Sequence, residues 1–196
     1  APRFFVLHRR RLWNPAQRKW MGWERKRGKL HELNRLLRGS GDTSYLNASV
    51  PATLQLPANI RYVVTLDADT RLPHGVVRRL IGKMAHPLNR AHYDKERRCV
   101  VEGYGILQPR VSTFLPERYT GSLFQRVFYR AKGIDPYAFA ISDVYQDLFG
   151  EGSFTGKGIY DIDAFEATAA RQITENAVLS HDLIEGCFAR CGFVSD

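Results

Sequence analysis

Between Ile60 and Arg71 the chain reads Ile-Arg-Tyr-Val-Val-Thr-Leu-Asp-Ala-Asp-Thr-Arg, a β-branched apolar run that stops at two carboxylates one residue apart. A run of that length and makeup predicts a buried strand of an α/β sheet, and the carboxyl ends of such strands are where these sheets hold ligands. Side chains on a continuing strand alternate between faces. Asp67 and Asp69 can therefore reach one ligand only if the chain turns there, as Thr70, Pro73 and Gly75 suggest.

Elsewhere the apolar spacing switches from two to about 3.6. Leu30, Leu33, Leu36 and Leu37 form the stripe of an amphipathic helix that ends at Gly39. Val76, Val77, Leu80, Ile81 and Met84 predict a second helix over Gly75 to Ala85, terminated by Pro87. Leu123, Val127 and Phe128 predict one over Ser122 to Lys132, and Asp161 to Ala170 reads as another with Phe165 inward. A last helix, capped by Ser180 and closed by Gly192, carries Leu183, Ile184, Cys187, Phe188 and Cys191 as its apolar face. Phe4 to Leu7 reads as a short strand, Cys99 to Pro109 as one strand or as two interrupted at Gly103, and Phe193 to Asp196 as a strand beginning. Residues 9–28 read as a loop turning into helix near Gly28, Gly39 to Asn59 as a surface loop, and Leu88 to Arg98 as a charged irregular stretch. The section from Ile134 to Phe149 is aromatic-rich without a decided form. Strands alternating with helices predict one α/β domain, and 196 residues with 44% hydrophobic content are enough for a real core.

Composition changes this picture in one respect. The net charge of +9 is concentrated in residues 1–38, which hold 12 Lys/Arg against two Asp/Glu and leave the rest of the chain close to neutral. Such a field attracts phosphate groups, whether on a nucleotide, a nucleic acid or an anionic membrane; it is equally compatible with a solvated basic face. No apolar stretch is long enough to cross a bilayer, and the first residues lack a signal-peptide core. Cys99, Cys187 and Cys191 are an odd count without a Cys-x-x-Cys pair, which predicts reduced thiols and an intracellular compartment.

Three features carry candidate chemistry. Asp67 and Asp69 are hard oxygen ligands of the kind Mg²⁺ or Mn²⁺ takes beside a diphosphate, with capping of the following helix as the competing use. The run Gly150-Glu151-Gly152-Ser153-Phe154-Thr155-Gly156-Lys157-Gly158 holds four glycines and implies close backbone approach or a mobile turn. It is not a phosphate-binding P-loop: the Gly152 to Gly156 spacing is one residue short, and Gly158 follows the lysine where Ser or Thr belongs. Asp182, in the first turn of the last helix, reads from the residues alone as a favourable charge on the helix dipole.

Taken together, Phe4 to Arg11, Trp20 to Leu30, Thr65 to Thr70, Val101 to Arg110 and Gly150 to Gly158 resemble the glycosyltransferase domain of bacterial cyclic β-1,2-glucan synthases. The order of features is similar, more distantly, to processive inverting glycosyltransferases of the cellulose synthase type. The resemblance implies an A-type, Rossmann-like mixed sheet flanked by helices, incomplete at both ends, and transfer of glucose from UDP-glucose to a growing β-1,2-glucan. It also implies a segment of a larger synthase at the cytoplasmic face of the bacterial inner membrane. By the same resemblance, Asp67 and Asp69 hold the metal (Mg²⁺ or Mn²⁺) and the UDP, Lys29 and Asn34 border the nucleotide, and Asp182 is the general base. His181 stands where that family has Glu. Arg25, Lys29 and Lys157 are candidates for extra charge on the phosphates, and Glu151, Gly152, Gly156 and Lys157 for the acceptor or phosphate region. Trp13, Trp20 and Trp23 are candidates for stacking on a sugar or base, against core packing. The resemblance further implies that the fragment binds donor weakly and makes no polymer by itself. The competing class is a nucleic-acid-binding or membrane-docking module working through the basic N-terminal segment, which leaves Asp67, Asp69 and Asp182 without a task.

Overall fold

A computed structural model describes residues 4–46, 56–111, 122, 140–178 and 180–195. A two-stranded hairpin, β1 (Leu12–Asn14) and β2 (Lys19–Met21), leads into α1 (Arg25–Leu37). There follow β3 (Tyr62–Thr65), α2 (Val76–Ala85), a 3₁₀ turn at Pro87–Asn89, β4 (His92–Asp94), β5 (Cys99–Glu102) and β6 (Ile106–Pro109). The described chain ends with α3 (Ala140–Phe149), β7 (Gly158–Asp161), α4 (Ile162–Gln172), α5 (Asp182–Ala189) and β8 (Cys191–Val194).

The central sheet has the order β3-β7-β6-β8, antiparallel except for the parallel pair β6 and β8. Alternation along the strands sends successive residues to opposite faces and so builds two cores. Ile106, Tyr160 and Cys191 pack on one face with Phe154, Ile162, Phe165 of α4 and Ala189 of α5. Leu107, Ile159 and Val194 pack on the other with Leu80 and Met84 of α2. Helices on both faces of a mixed sheet make this a three-layer α/β arrangement, the fold class expected from the sequence.

Several elements depart from expectation for physical reasons. Phe4 to Leu7 is not a strand: Phe4 is 93% and Val6 83% exposed, and just after it His8 accepts from the Leu46 N–H and the Arg10 N–H donates to the Ser44 carbonyl. The loop after it is a hairpin, with Trp13 opposite Trp20, and α1 starts at Arg25 rather than near Gly28. Within Leu88 to Arg98 lies β4, which pairs with β5 in a separate two-stranded sheet. Gly103, at φ +65, turns the chain between β5 and β6. In α5 the cap position is His181, not Ser180, and makes no side-chain cap bond. That helix buries Glu185, Gly186 and Ala189, while Leu183 and Cys187 of the expected apolar face are exposed. The helix expected over Ser122 to Lys132 lies outside the described residues apart from Ser122. All three cysteines are free. Among the described residues, no helix is long and apolar enough to cross a membrane.

Candidate functional site

The strand pair β3 and β7 sets the site. Its antiparallel register runs from Tyr62 opposite Asp161 to Thr65 opposite Gly158. Carried two residues further, the same register brings Asp67 opposite Gly156. There the chain leaves the sheet in a turn closed by Thr70 N–H donating to the Asp67 carbonyl at 3.0 Å, as Thr70 and Pro73 led us to expect. The turn separates the two carboxylates: Asp67 is half-buried and faces the β7 loop, whereas Asp69 is exposed.

Both oxygens of Asp67 are taken. Lys26, in the first turn of α1, places Nζ 2.8 Å from Oδ1, and Lys157 places Nζ 2.7 Å from Oδ2. The hydrogen bonds from Lys157 and Lys26 hold the Asp67 carboxyl below its ordinary range. Lys26 Nζ also donates to the Gly156 carbonyl at 2.9 Å. Gly156 has φ +78, and a β-carbon built on it would stand 2.6 Å from Lys26 Nζ and 2.7 Å from Asp182 Oδ2. Only glycine fits there. The Asp182 carboxylate and the Lys26 ammonium thus flank one point, and residues 26, 67, 156–157 and 182, remote in sequence, share one site.

The floor of the site is the glycine-rich loop, and it is tied down. Gly152 N–H donates to the Cys191 carbonyl at 2.6 Å and Gly150 N–H to Gln146 at 2.8 Å. Thr155 N–H donates to Gln108 Oε1 at 2.9 Å, and Gln108 is itself only 2% exposed. Gly158 approaches β6 so closely that an added β-carbon would lie 2.4 Å from the Leu107 carbonyl oxygen. Beneath Asp182, one helical turn along α5, Glu185 is 1% exposed and its Oε1 has no hydrogen-bond partner. Burial, and then the charge of Asp182, push its carboxyl up to about 7.

The other residues singled out in the sequence fall elsewhere. Asn34 is fully buried between the Glu166 carboxylate, to which it donates at 2.7 Å, and the Tyr160 hydroxyl, from which it accepts at 2.8 Å. Lys29 is exposed, and its carbonyl accepts from the Tyr45 hydroxyl. Arg25 is exposed and donates to Gln17. Glu151 faces Arg190, whose Nε lies 3.5 Å away. His181 is buried beside Glu24 at 3.9 Å. Trp13 and Trp20 pair edge-on at the surface, and Trp23 donates to Glu175. Lys26 and Glu185 went unnoticed in the sequence. A hollow of about 910 Å³ opens at the far end of β3 and β7, where Arg38 and Arg61 are already paired with Asp163 and Asp161.

No protein-family model matches the chain. It is 57% identical over 194 residues to the cyclic beta-(1,2)-glucan synthase NdvB of Rhizobium meliloti (strain 1021), a match that takes 99% of the chain. The chain matches a segment of a cyclic β-(1,2)-glucan synthase. It spans 7% of the length of that relative.

For a divalent cation the donor chemistry is suitable. Asp67 and Asp69 offer hard carboxylate oxygens, and Asp67 already draws two cationic groups to hydrogen-bond distance. Among the described residues no group of three or more His, Cys, Asp or Glu side chains gathers as a metal cage. Mg²⁺ and Mn²⁺ bind through one or two carboxylates together with substrate phosphates and water.

Proposed function

We infer that the chain forms part of the donor-binding and catalytic portion of an inverting glucosyltransferase of A-type fold, one that uses UDP-glucose to extend a β-1,2-glucan in cyclic β-1,2-glucan synthesis. The observation that carries this reading is the meeting of Asp67, Lys26, Lys157 and Asp182 at the carboxyl end of β3. Glycosyl transfer with inversion needs a base for the acceptor hydroxyl and positive charge for the departing diphosphate, and these residues provide both within one site. A divalent cation bound by Asp67 and Asp69 would stabilise the negative charge that develops on the diphosphate. Asp182 takes the proton of the attacking hydroxyl. Lys26 and Lys157 hold the phosphates, and the fixed loop from Gly150 to Gly158 keeps the sugar between them and Asp182. The 57% identity to a cyclic beta-(1,2)-glucan synthase supports the substrate class. The larger protein of which such a segment is part would sit at the cytoplasmic face of the inner membrane.

The test is Asp182→Asn in the full synthase, with UDP binding and glucan synthesis measured side by side. Donor affinity should stay within about twofold while transfer falls by two orders of magnitude or more, roughly the usual contribution of a general base. Retention of full transfer would refute the assignment of Asp182.

A further inference from the structure

We propose that Lys26 and Lys157 pass from Asp67 to the phosphates of an incoming nucleoside diphosphate, so that arrival of the anion frees the Asp67 carboxylate for a divalent cation. The proposal rests on the sugar-nucleotide reading above and adds an order of events to it. In the structure each oxygen of Asp67 is held by its own ammonium, at 2.8 and 2.7 Å. A cation approaching this carboxylate meets two positive charges already in place. A diphosphate approaching the lysines finds their charge already committed to Asp67, with Asp182 close by. Each ligand alone therefore faces opposition that the other removes.

The exchange is easy by the same geometry. The side chains of Lys26, Lys157 and Asp67 are 33, 24 and 37% exposed, and ion pairs that water reaches hold their partners only weakly. A lysine ammonium is a point charge with three donors on a flexible stem, so a small rotation re-aims it without loss of hydrogen bonds. Lys26 keeps its bond to the Gly156 carbonyl at 2.9 Å as an anchor beside the site. A coupling of this kind is reciprocal: anion and cation must strengthen each other's binding by the same factor.

Isothermal calorimetry on the full synthase, with inorganic pyrophosphate or Mn²⁺ offered singly, tests the hand-over. Circular dichroism checks that each variant is folded. Asp67→Asn and Asp69→Asn each remove one negative charge, but only the former releases two lysines. Metal-free pyrophosphate should bind about tenfold tighter to the Asp67→Asn variant than to the Asp69→Asn variant, a typical coupling. A double change, Lys26→Met with Lys157→Met, should weaken pyrophosphate and tighten Mn²⁺ offered alone. Equal pyrophosphate affinity in the two aspartate variants, or Mn²⁺ binding indifferent to the lysines, overturns the hand-over while leaving the sugar-nucleotide reading intact. If neither pyrophosphate nor UDP binds the folded wild-type synthase, that reading itself fails and the proposal falls with it.

Discussion

Changing Glu185 to glutamine probes the electrostatics under the site. The side chain is 1% exposed, and burial together with the neighbouring Asp182 raises its carboxyl from 4.5 to about 7. A raised acid means that the folded chain keeps a proton which the unfolded chain has already released. Between pH 4.5 and 7 the native state therefore binds more protons than the unfolded state, and stability falls as pH rises through that window. A shift from 4.5 to about 7, at 1.36 kcal/mol per unit, amounts to about 3 kcal/mol. Glutamine has the shape of the protonated acid and does not ionise, so the variant lacks this loss. Urea unfolding of both proteins across the window is the assay, with the difference between them as the readout, because every other titrating group cancels. The variant should match the wild type near pH 4.5 and exceed it by up to about 3 kcal/mol at pH 8. Parallel pH profiles for the two proteins would show that Glu185 ionises in the fold as it does in water, and would refute the burial argument.

Further outcomes follow from packing. Gly158→Ala drives a methyl to 2.4 Å from the Leu107 carbonyl oxygen; the backbone of β6 must yield, and thermal unfolding should register a loss of about 1–3 kcal/mol. Asn34→Ala leaves the Tyr160 hydroxyl and Glu166 without their shared partner, which should cost about 1–3 kcal/mol in denaturant. Unchanged UDP affinity in that folded variant would mark Asn34 as structural, and a lost affinity would place it at the nucleotide. Gly156→Ala forces a strained φ and pushes on both Lys26 and Asp182. Glucan synthesis in the full synthase should then fall by far more than the roughly 1–3 kcal/mol of backbone strain takes from stability, and equal activity would show that the Asp182 position is not critical.

The parts of this molecule legible in the sequence are those where one physical demand dominates. Tyr62 to Thr65 reads as a strand because it is β-branched and apolar on both faces, and the turn after it is written in Thr70 and Pro73. The helix over Val76–Ala85 follows from a clean apolar stripe, and the close packing of the Gly150 to Gly158 loop from its glycines. What was misread depended on partners remote in the chain. Phe4 to Leu7 has strand composition, but Phe4 and Val6 lie exposed and the segment forms no strand. The hairpin of Trp13 and Trp20 is hidden because its turn, Pro15 to Arg18, lacks the glycine or asparagine that marks a tight hairpin. Lys26 sits within the run Arg25-Lys26-Arg27, where composition cannot tell which cation turns inward. Its role emerges only once α1 is set against β3 and β7. The buried face of α5 was inverted for the same reason: Glu185 points inward, and a reading that counts apolar residues assigns the opposite side.

Glycine density is commonly equated with looseness, and the stretch from Gly150 to Gly158 argues against that equation. The amides of Gly150, Gly152 and Thr155 donate to fixed acceptors on Gln146, on Cys191 of β8 and on Gln108, which pins the main chain at three points. Amide protons at Gly152 and Thr155 should accordingly exchange with solvent as slowly as those of the sheet itself. Whatever adjustment a ligand demands must be made by swinging amine groups above a rigid shelf.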